Sequence, residues 1–293
     1  MLVERPLPWP ADIADAPDIA EVAEAVHGMA AGRRCRVQTV IGVGHSAPEG
    51  RRRVLCYWAS TERFDGFQGA EVEVDADEIA VAAASLMTEA GRLERRSADI
   101  GVSDVLVCGH GARDRCCGAF GTRLAMELGE SQQTSRPQQP GLPEAVRLWR
   151  TSHTGGHRFA PTAIVLPYGD VWGYLDAATL GAILRQDVEP RDVIHRYRGS
   201  AGMSSPALQL LDRFALSVEG WRWRTVSRRA AEAPLPNGAV SVQIEDTVGA
   251  VRFEGIVDRK RTLALPLCGG AAGELGKPVE ELALLAAADR STR

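Results

Sequence analysis

The chain reads as an α/β protein on three observations. Apolar, strand-like runs alternate with amphipathic helical runs over the first two thirds of the sequence, as expected of a sheet covered by helices. In the last third, one helical run is followed by several strand-like ones. Hydrophobic content of 45% and charged content of 25% over 293 residues are those of a globular chain, long enough for two small domains or one elaborated one.

Taken in order, Leu2–Pro10 reads as extended. "PDIAEVAEAVHGMAAG" carries apolar residues at helical spacing and predicts a helix ended by Gly32. "CRVQTVIGV" and "RRVLCYWAS" predict strands, separated by a polar turn containing "HSAPEG". "DADEIAVAAASLMTEAGRL" predicts a helix, with Asp75 or Asp77 near its start as a cap. A new unit begins near Ser103. "SDVLVCGH" is an apolar strand that runs into a cysteine-rich loop, and "GAFGTRLAMELGE" is a helix. Ser131–Gly141 is a polar loop, and "AVRLWRTSH" is a strand that delivers His153. "PTAIVLPYGDVWGYL" predicts a hairpin turning at Gly169–Asp170, "DAATLGAILRQ" a helix and "DVIHRYRG" a short strand. In the last third "PALQLLDRFALSVEG" predicts a helix and "WRWRTVSRR", "AVSVQIED" and "AVRFEGIVD" predict strands. "PVEELALLAAADR" predicts a final helix.

These elements divide the chain into an N-terminal α/β region (1–102), a second α/β unit (103–200) and a C-terminal helix-plus-strands extension (201–293). The second unit, a mixed sheet flanked by helices, is compatible with a thioredoxin-like arrangement. The first region has a similar pattern of strands and helix, which allows a duplicated pair, although no internal sequence repeat is visible.

The formal net charge of −4 gives no electrostatic reason to expect nucleic-acid or anionic-membrane binding. The longest smooth apolar run, Ile79–Met87, is far shorter than the ~20 residues of a membrane span. The first residues are broken by prolines and acids and lack the basic and apolar regions of a signal peptide, so the cytoplasm is expected.

Six cysteines in such a setting do not read as a disulfide framework. Cys35 and Cys56 fall in strand-like runs and read as small buried residues; Cys268, in "LPLCGG", reads as a plain thiol before a turn. The other three, Cys108, Cys116 and Cys117, crowd into "CGHGARDRCC". A strand end fixes Cys108, and Gly109 and Gly111 permit a tight loop that returns a second thiol to it. His153 and His157 follow in "SHTGGHRFA", where Thr154-Gly155-Gly156 is a poor helix interior and predicts a loop. Two thiolates and two imidazoles make a complete set of four ligands, suited to zinc or to an iron–sulfur centre. The short C-x2–4-C spacing of structural zinc is absent. So is the C-x-x-C of thiol redox enzymes. Two histidines on one iron of a 2Fe–2S cluster raise its potential, to about −150 to +300 mV in Rieske centres against about −400 mV in plant-type ferredoxins.

Four stretches, "LVERPLPWP", "VLVCGHGARDRCCGAFG", "SHTGGHRFAPTAIVLPYGDVWGYL" and "YRGSAGMSSPALQ", with "LPLCGG" as a weaker fifth, resemble the sucrase/ferredoxin-like family of thioredoxin-fold ferredoxins. The resemblance implies a 2Fe–2S cluster held by Cys108 and Cys117 on one iron and by His153 and His157 on the other. Cys116 stands as an alternative ligand. His110, Arg113 and Arg158 are candidates for the surrounding shell, His110 as a donor to a cluster sulfur. Arg113, Arg115 and Arg158 form a candidate basic rim for an acidic redox partner protein. The implied function is that of an electron carrier rather than a reductase. Two other readings stay open: a thiol-dependent oxidoreductase using Cys108, Cys116 and Cys117, and a structural zinc site with the same four ligands.

Overall fold

A computed structural model describes residues 1–29, 35–60, 62–93, 102–133, 146–247, 249–266, 268 and 274–290. The architecture is mixed α/β, in two compact units. The first comprises Met1–Trp58, Phe67–Pro167 and Tyr174–Arg185; the second comprises Ala59–Gly66, Tyr168–Gly173 and Gln186–Arg293.

The first unit holds β1 (Leu2–Glu4), α1 (Pro17–His27), β2 (Gln38–Gly42), β3 (Arg51–Trp58), β4 (Gln68–Asp75), α2 (Ile79–Leu93), β5 (Ser103–Cys108), α3 (Thr122–Gln133), β6 (Val146–Thr151), β7 (Ala163–Leu166) and α4 (Ala177–Arg185). Its strands run in the order β4-β3-β1-β2-β6-β5-β7. Proline at the first position and Asp18 in the first turn start α1, and Ile19, Val22 and Val26 form its buried stripe. The stripe packs with Val3, Val54, Ala83 and Leu86 in one core cluster. The helix stops at His27, with the Gly28 N–H on the Glu24 carbonyl, before the expected end at Gly32, which lies outside the described residues. Helix α2 starts at Ile79, beyond both acids expected to cap it.

Strand β4 was not anticipated. Its segment, "QGAEVEVD", alternates with period two: Ala70, Val72 and Val74 pack toward the core while Glu71 and Glu73 are exposed. The expected loop from Ser131 falls partly in α3, and its remainder lies outside the described residues.

The two halves of this sheet repeat one another in register, although their sequences do not. β1 is parallel to β2 and antiparallel to β3; β5 is parallel to β6 and antiparallel to β7. The Arg5 N–H reaches the Val40 carbonyl at 2.9 Å, and the Gly109 N–H reaches that of Thr151 at 3.0 Å. Val3 opposes Val54 as Val107 opposes Ala163. By this register Glu4 occupies in the first half the place of Cys108 in the second, and Val40 that of Thr151. The halves join through the antiparallel pair β2–β6, where Val40 and Thr151 face each other.

The second unit holds β8 (Asp170–Trp172), α5 (Pro190–Val193), β9 (Tyr197–Ser200), α6 (Pro206–Glu219), β10 (Arg229–Pro234), β11 (Val240–Glu245), β12 (Val251–Leu263) and β13 (Val279–Asp289). β8 and β9 pair antiparallel, and β10 to β13 form an antiparallel sheet in chain order. Ser205 caps α6 by accepting the Leu208 N–H at 3.2 Å, and Leu208, Leu211, Ala215 and Leu216 are buried. Buried Asp212 accepts the Tyr197 hydroxyl at 2.7 Å, the Ser200 N–H at 2.9 Å and the Trp223 ring N–H at 2.8 Å.

Three expectations are corrected here. "WRWRTVSRR" begins as a 3-10 turn, Gly220–Thr225, because Trp223 and Arg224 are both buried, which adjacent residues of a one-faced strand are not. In "DVIHRYRG" only Tyr197–Ser200 is a strand; Ile194–Arg196 is a 3-10 turn. The final helix is strand β13, whose backbone pairs with the long β12 from Phe253 to Leu263. An available ladder partner outweighs the helix propensity of its leucines, alanines and glutamates. Among the described residues no helix is long and apolar enough to cross a membrane.

Candidate metal centre

β5 ends at Cys108, whose side chain is buried, and the chain turns through Gly109–Asp114. It returns so that Cys117 opens a single π-helical turn, Cys117–Gly121, leading into α3. Cys117 therefore sits on a helical turn and not in the expected loop. Glycines make the return possible. A Cβ on Gly118 would lie 2.4 Å from the Gly111 Cα, and one on Gly121 would lie 1.8 Å from the Cys108 carbonyl oxygen.

The Cys108 and Cys117 sulfurs share a hydrogen bond. Cys108 also accepts from the N–H of Thr154, the N–H of His110 and the Thr154 hydroxyl. The bond from Cys117 and these further donors pull the Cys108 thiol down to about 5, against the opposing effect of burial. The same shared bond, with burial, pushes Cys117 up.

β6 delivers the second loop. Gly155 (φ 88°) and Gly156 (φ 72°) turn it through the left-handed region into a 3-10 turn, His157–Phe159. His153 Nδ1 lies 2.8 Å from Asp114 Oδ2, and His157 Nδ1 lies 3.9 Å from Asp114 Oδ1. The closer pair is not aligned as a hydrogen bond. Both its atoms are buried and have no hydrogen-bond partner among the described residues. Burial lowers the pKa of His153, with Asp114 and Cys108 opposing. Cys116, the alternative ligand, places its sulfur 3.6 Å from His157 Nδ1 and 3.3 Å from the His157 carbonyl oxygen.

The first half of the sheet holds this loop in place. Arg36 donates to the carbonyls of His153 and Thr154, the latter at 3.2 Å. The Gln38 amide donates to Ser152 O at 3.3 Å and His153 O at 3.4 Å. Arg36, His110, Arg113, Ser152 and His153 line part of a cavity of about 140 Å³ beside the loop.

His110 has a different role from the one expected. It is buried; its Nδ1 accepts the His153 N–H at 3.2 Å, so its Nε2 carries the proton and donates to Pro10 O at 2.9 Å. The ring has no donor left for a sulfur, and its residue reaches Cys108 through the main chain. Arg113 and Arg158 are exposed, and Cys268 belongs to the second unit. Asp114 stands between Arg113 and Arg115 in the cysteine loop, where no local signal marks it as facing the histidines. For Arg36 and Gln38 no local signal exists, because only the β2–β6 pairing brings them to His153.

The donor types of Cys108, Cys117, His153 and His157 suit a small metal centre. Two thiols are buried side by side, two half-buried imidazoles stand on the adjoining loop, and the thiol loop is closed by glycines. A 2Fe–2S cluster and a zinc ion are both suited to these donors.

The family described as sucrase/ferredoxin-like matches residues 1–199. The chain is also similar to the "Altered inheritance of mitochondria protein 32" of Meyerozyma guilliermondii, at 30% identity over 114 residues, which cover 36% of this chain and 38% of that protein. It thus spans well under half the length of that curated relative. No solved structure matches the chain.

Proposed function

The chain belongs to the sucrase/ferredoxin-like family, and on that premise we propose that it is an electron-transfer protein carrying a 2Fe–2S cluster on Cys108, Cys117, His153 and His157. The observation that carries the reading is the pair of buried thiols, Cys108 and Cys117, brought together at the end of β5 beside the histidine loop. Metal binding takes thiolates, and the donors around the Cys108 sulfur favour that form.

A bound 2Fe–2S centre supplies one-electron transfer. The protein's own groups do the rest. Main-chain N–H groups of His110 and Thr154 donate to the Cys108 sulfur and favour its thiolate form. Arg36 and Gln38 hold the main chain at His153, and His110 ties that same segment to Pro10. The order β6-β5-β7, with α3 joining two parallel strands and an antiparallel third, supports reading this half of the sheet as thioredoxin-like. Exposed Arg113 and Arg158 suit an acidic redox partner protein. The proposed compartment is the cytoplasm, where thiols stay reduced and available to a metal.

The test is an absorption spectrum of protein purified without oxygen, with iron, sulfide and zinc measured on the same sample. A red-brown protein with about two irons and two sulfides per chain is expected. Colourless protein with one zinc per chain would move the centre to a structural role, and metal-free protein active only with intact thiols would make it a reductase.

A further inference from the structure

Asp114 is a carboxylate in an unusual position. Its residue is 9% exposed. Burying a carboxylate without a cation or a full set of hydrogen bonds costs several kcal/mol. Yet among the described residues no arginine or lysine pairs with it; its neighbours Arg113 and Arg115 are exposed. The side chains it faces are the two imidazoles of the candidate centre, His153 Nδ1 at 2.8 Å and His157 Nδ1 at 3.9 Å. Its Oδ2 and the His153 Nδ1 are both buried and meet without the alignment of a hydrogen bond. Its main chain is committed to the loop, with its N–H on the His110 carbonyl and its own carbonyl taking the Gly118 N–H, each at 3.0 Å. These bonds aim the side chain and leave its carboxylate free to act on the histidines.

We propose that Asp114 is the positioning residue of the centre: it takes the Nδ1 edge of His153, and more distantly of His157, and leaves their Nε2 atoms to bind iron. The proposal rests on the cluster reading above. Carboxylates behind metal-bound histidines fix the ring orientation and raise the basicity of the ligand. A metal-bound imidazole is polarised toward positive charge, so it supplies the partner the buried carboxylate lacks. A carboxylate in this place stabilises the oxidised, more positive centre over the reduced one, and so holds the potential down.

The experiment compares the full chain with Asp114→Asn and Asp114→Ala, all purified without oxygen. Wild-type protein without about two irons and two sulfides overturns the cluster reading itself, independently of Asp114. Given a loaded wild type, Asp114→Asn is expected to load but to lose iron to a chelator about tenfold faster. At a fixed poise its reduced-to-oxidised ratio should rise about tenfold, which is about 59 mV for a one-electron couple. Asparagine nearly matches aspartate in shape, so a residue that only shapes the loop would leave the potential unmoved. A loaded Asp114→Asn protein with wild-type potential and iron retention overturns the proposal. If neither variant accumulates as folded protein, the structure of loaded wild type decides. Iron on Nε2 with the carboxylate at Nδ1 of His153 upholds the assignment, and iron on Nδ1 of His153 sinks it.

Discussion

Two polar residues in the first unit, Asp104 and half-buried His45, show what single side chains contribute to the fold. Asp104 is fully buried, yet it accepts from Arg147 Nε and Nη2, each at 2.8 Å, from the Trp149 ring N–H at 2.6 Å and from the Tyr57 hydroxyl. Replacing it with alanine leaves an indole N–H and a phenol without their acceptor and leaves Arg147 with Glu71 alone, at 2.6 Å. Asp104→Ala is expected to cost about 3–5 kcal/mol in urea unfolding; a loss below about 1 kcal/mol would show that the network is not what holds β5 to β6. His45 makes a prediction about pH. Its Nδ1 accepts from Arg53 at 3.1 Å and its Nε2 donates to Leu148 O at 2.9 Å, so the ring is neutral. Burial lowers its pKa below the ordinary 6.5, with Arg53 assisting and the Leu148 carbonyl opposing. The unfolded chain therefore takes up this proton first as pH falls. The His45 contribution is complete above pH 6.5 and is lost as pH drops toward the native value. The loss of stability between about pH 8 and about pH 5.5 should be smaller in His45→Gln than in wild type; equal losses would assign it to other groups.

Among the elements, the π-helical turn does the most for the site. It places Cys117 against the end of β5, and it exists because Gly121 lets α3 start directly over the Cys108 carbonyl. Gly121→Ala puts a methyl where that oxygen stands and is expected to destabilise the chain by roughly 3 kcal/mol or more. Gly155→Ala differs in kind: no atom lies within 4 Å of the added Cβ, and only the left-handed φ of 88° opposes it. About 1–2 kcal/mol is expected there. Comparing urea midpoints of the two variants checks the contrast, and a larger loss for Gly155→Ala would overturn it. Strand β13 teaches the complementary lesson. Its residues favour a helix in isolation, but the ladder along β12 satisfies their backbone groups as a strand.

At the scale of the molecule, the seam between β2 and β6 matters most. The ligands proposed for the cluster all come from the second half of the sheet, but the groups that hold His153 come from the first, through Arg36 and Gln38. The register repeat explains the division. Two similar halves share one sheet, and where the second half carries Cys108 the first carries Glu4. A fragment of residues 103–200 would present the bare edge of β6 and lack both supports. It is expected to aggregate or to bind no cluster; a soluble, folded, red-brown fragment in circular dichroism and size-exclusion experiments would refute this.

The alternating α/β character, most strands of the first unit and the turns that follow Cys108 and His153 were legible in the chain. Each rests on local information: apolar runs of strand length, helical spacing, and glycines beside Cys108 and His153. Strand β4 is written in the chain too, as the period-two pattern of Gln68–Asp75. The strand β13, the 3-10 turn at Trp221–Thr225, the π-turn under Cys117 and the supports of His153 were not. In each of these the outcome depends on a partner distant in sequence: β12 for β13, the buried packing of Trp223 and Arg224, the Cys108 carbonyl over Gly121, and β2 beside β6. Local patterning states which residue types and backbone freedoms are present. Which atoms finally satisfy a buried carboxylate, carbonyl or thiol is decided by pairing across the fold, because burial removes water as the alternative partner.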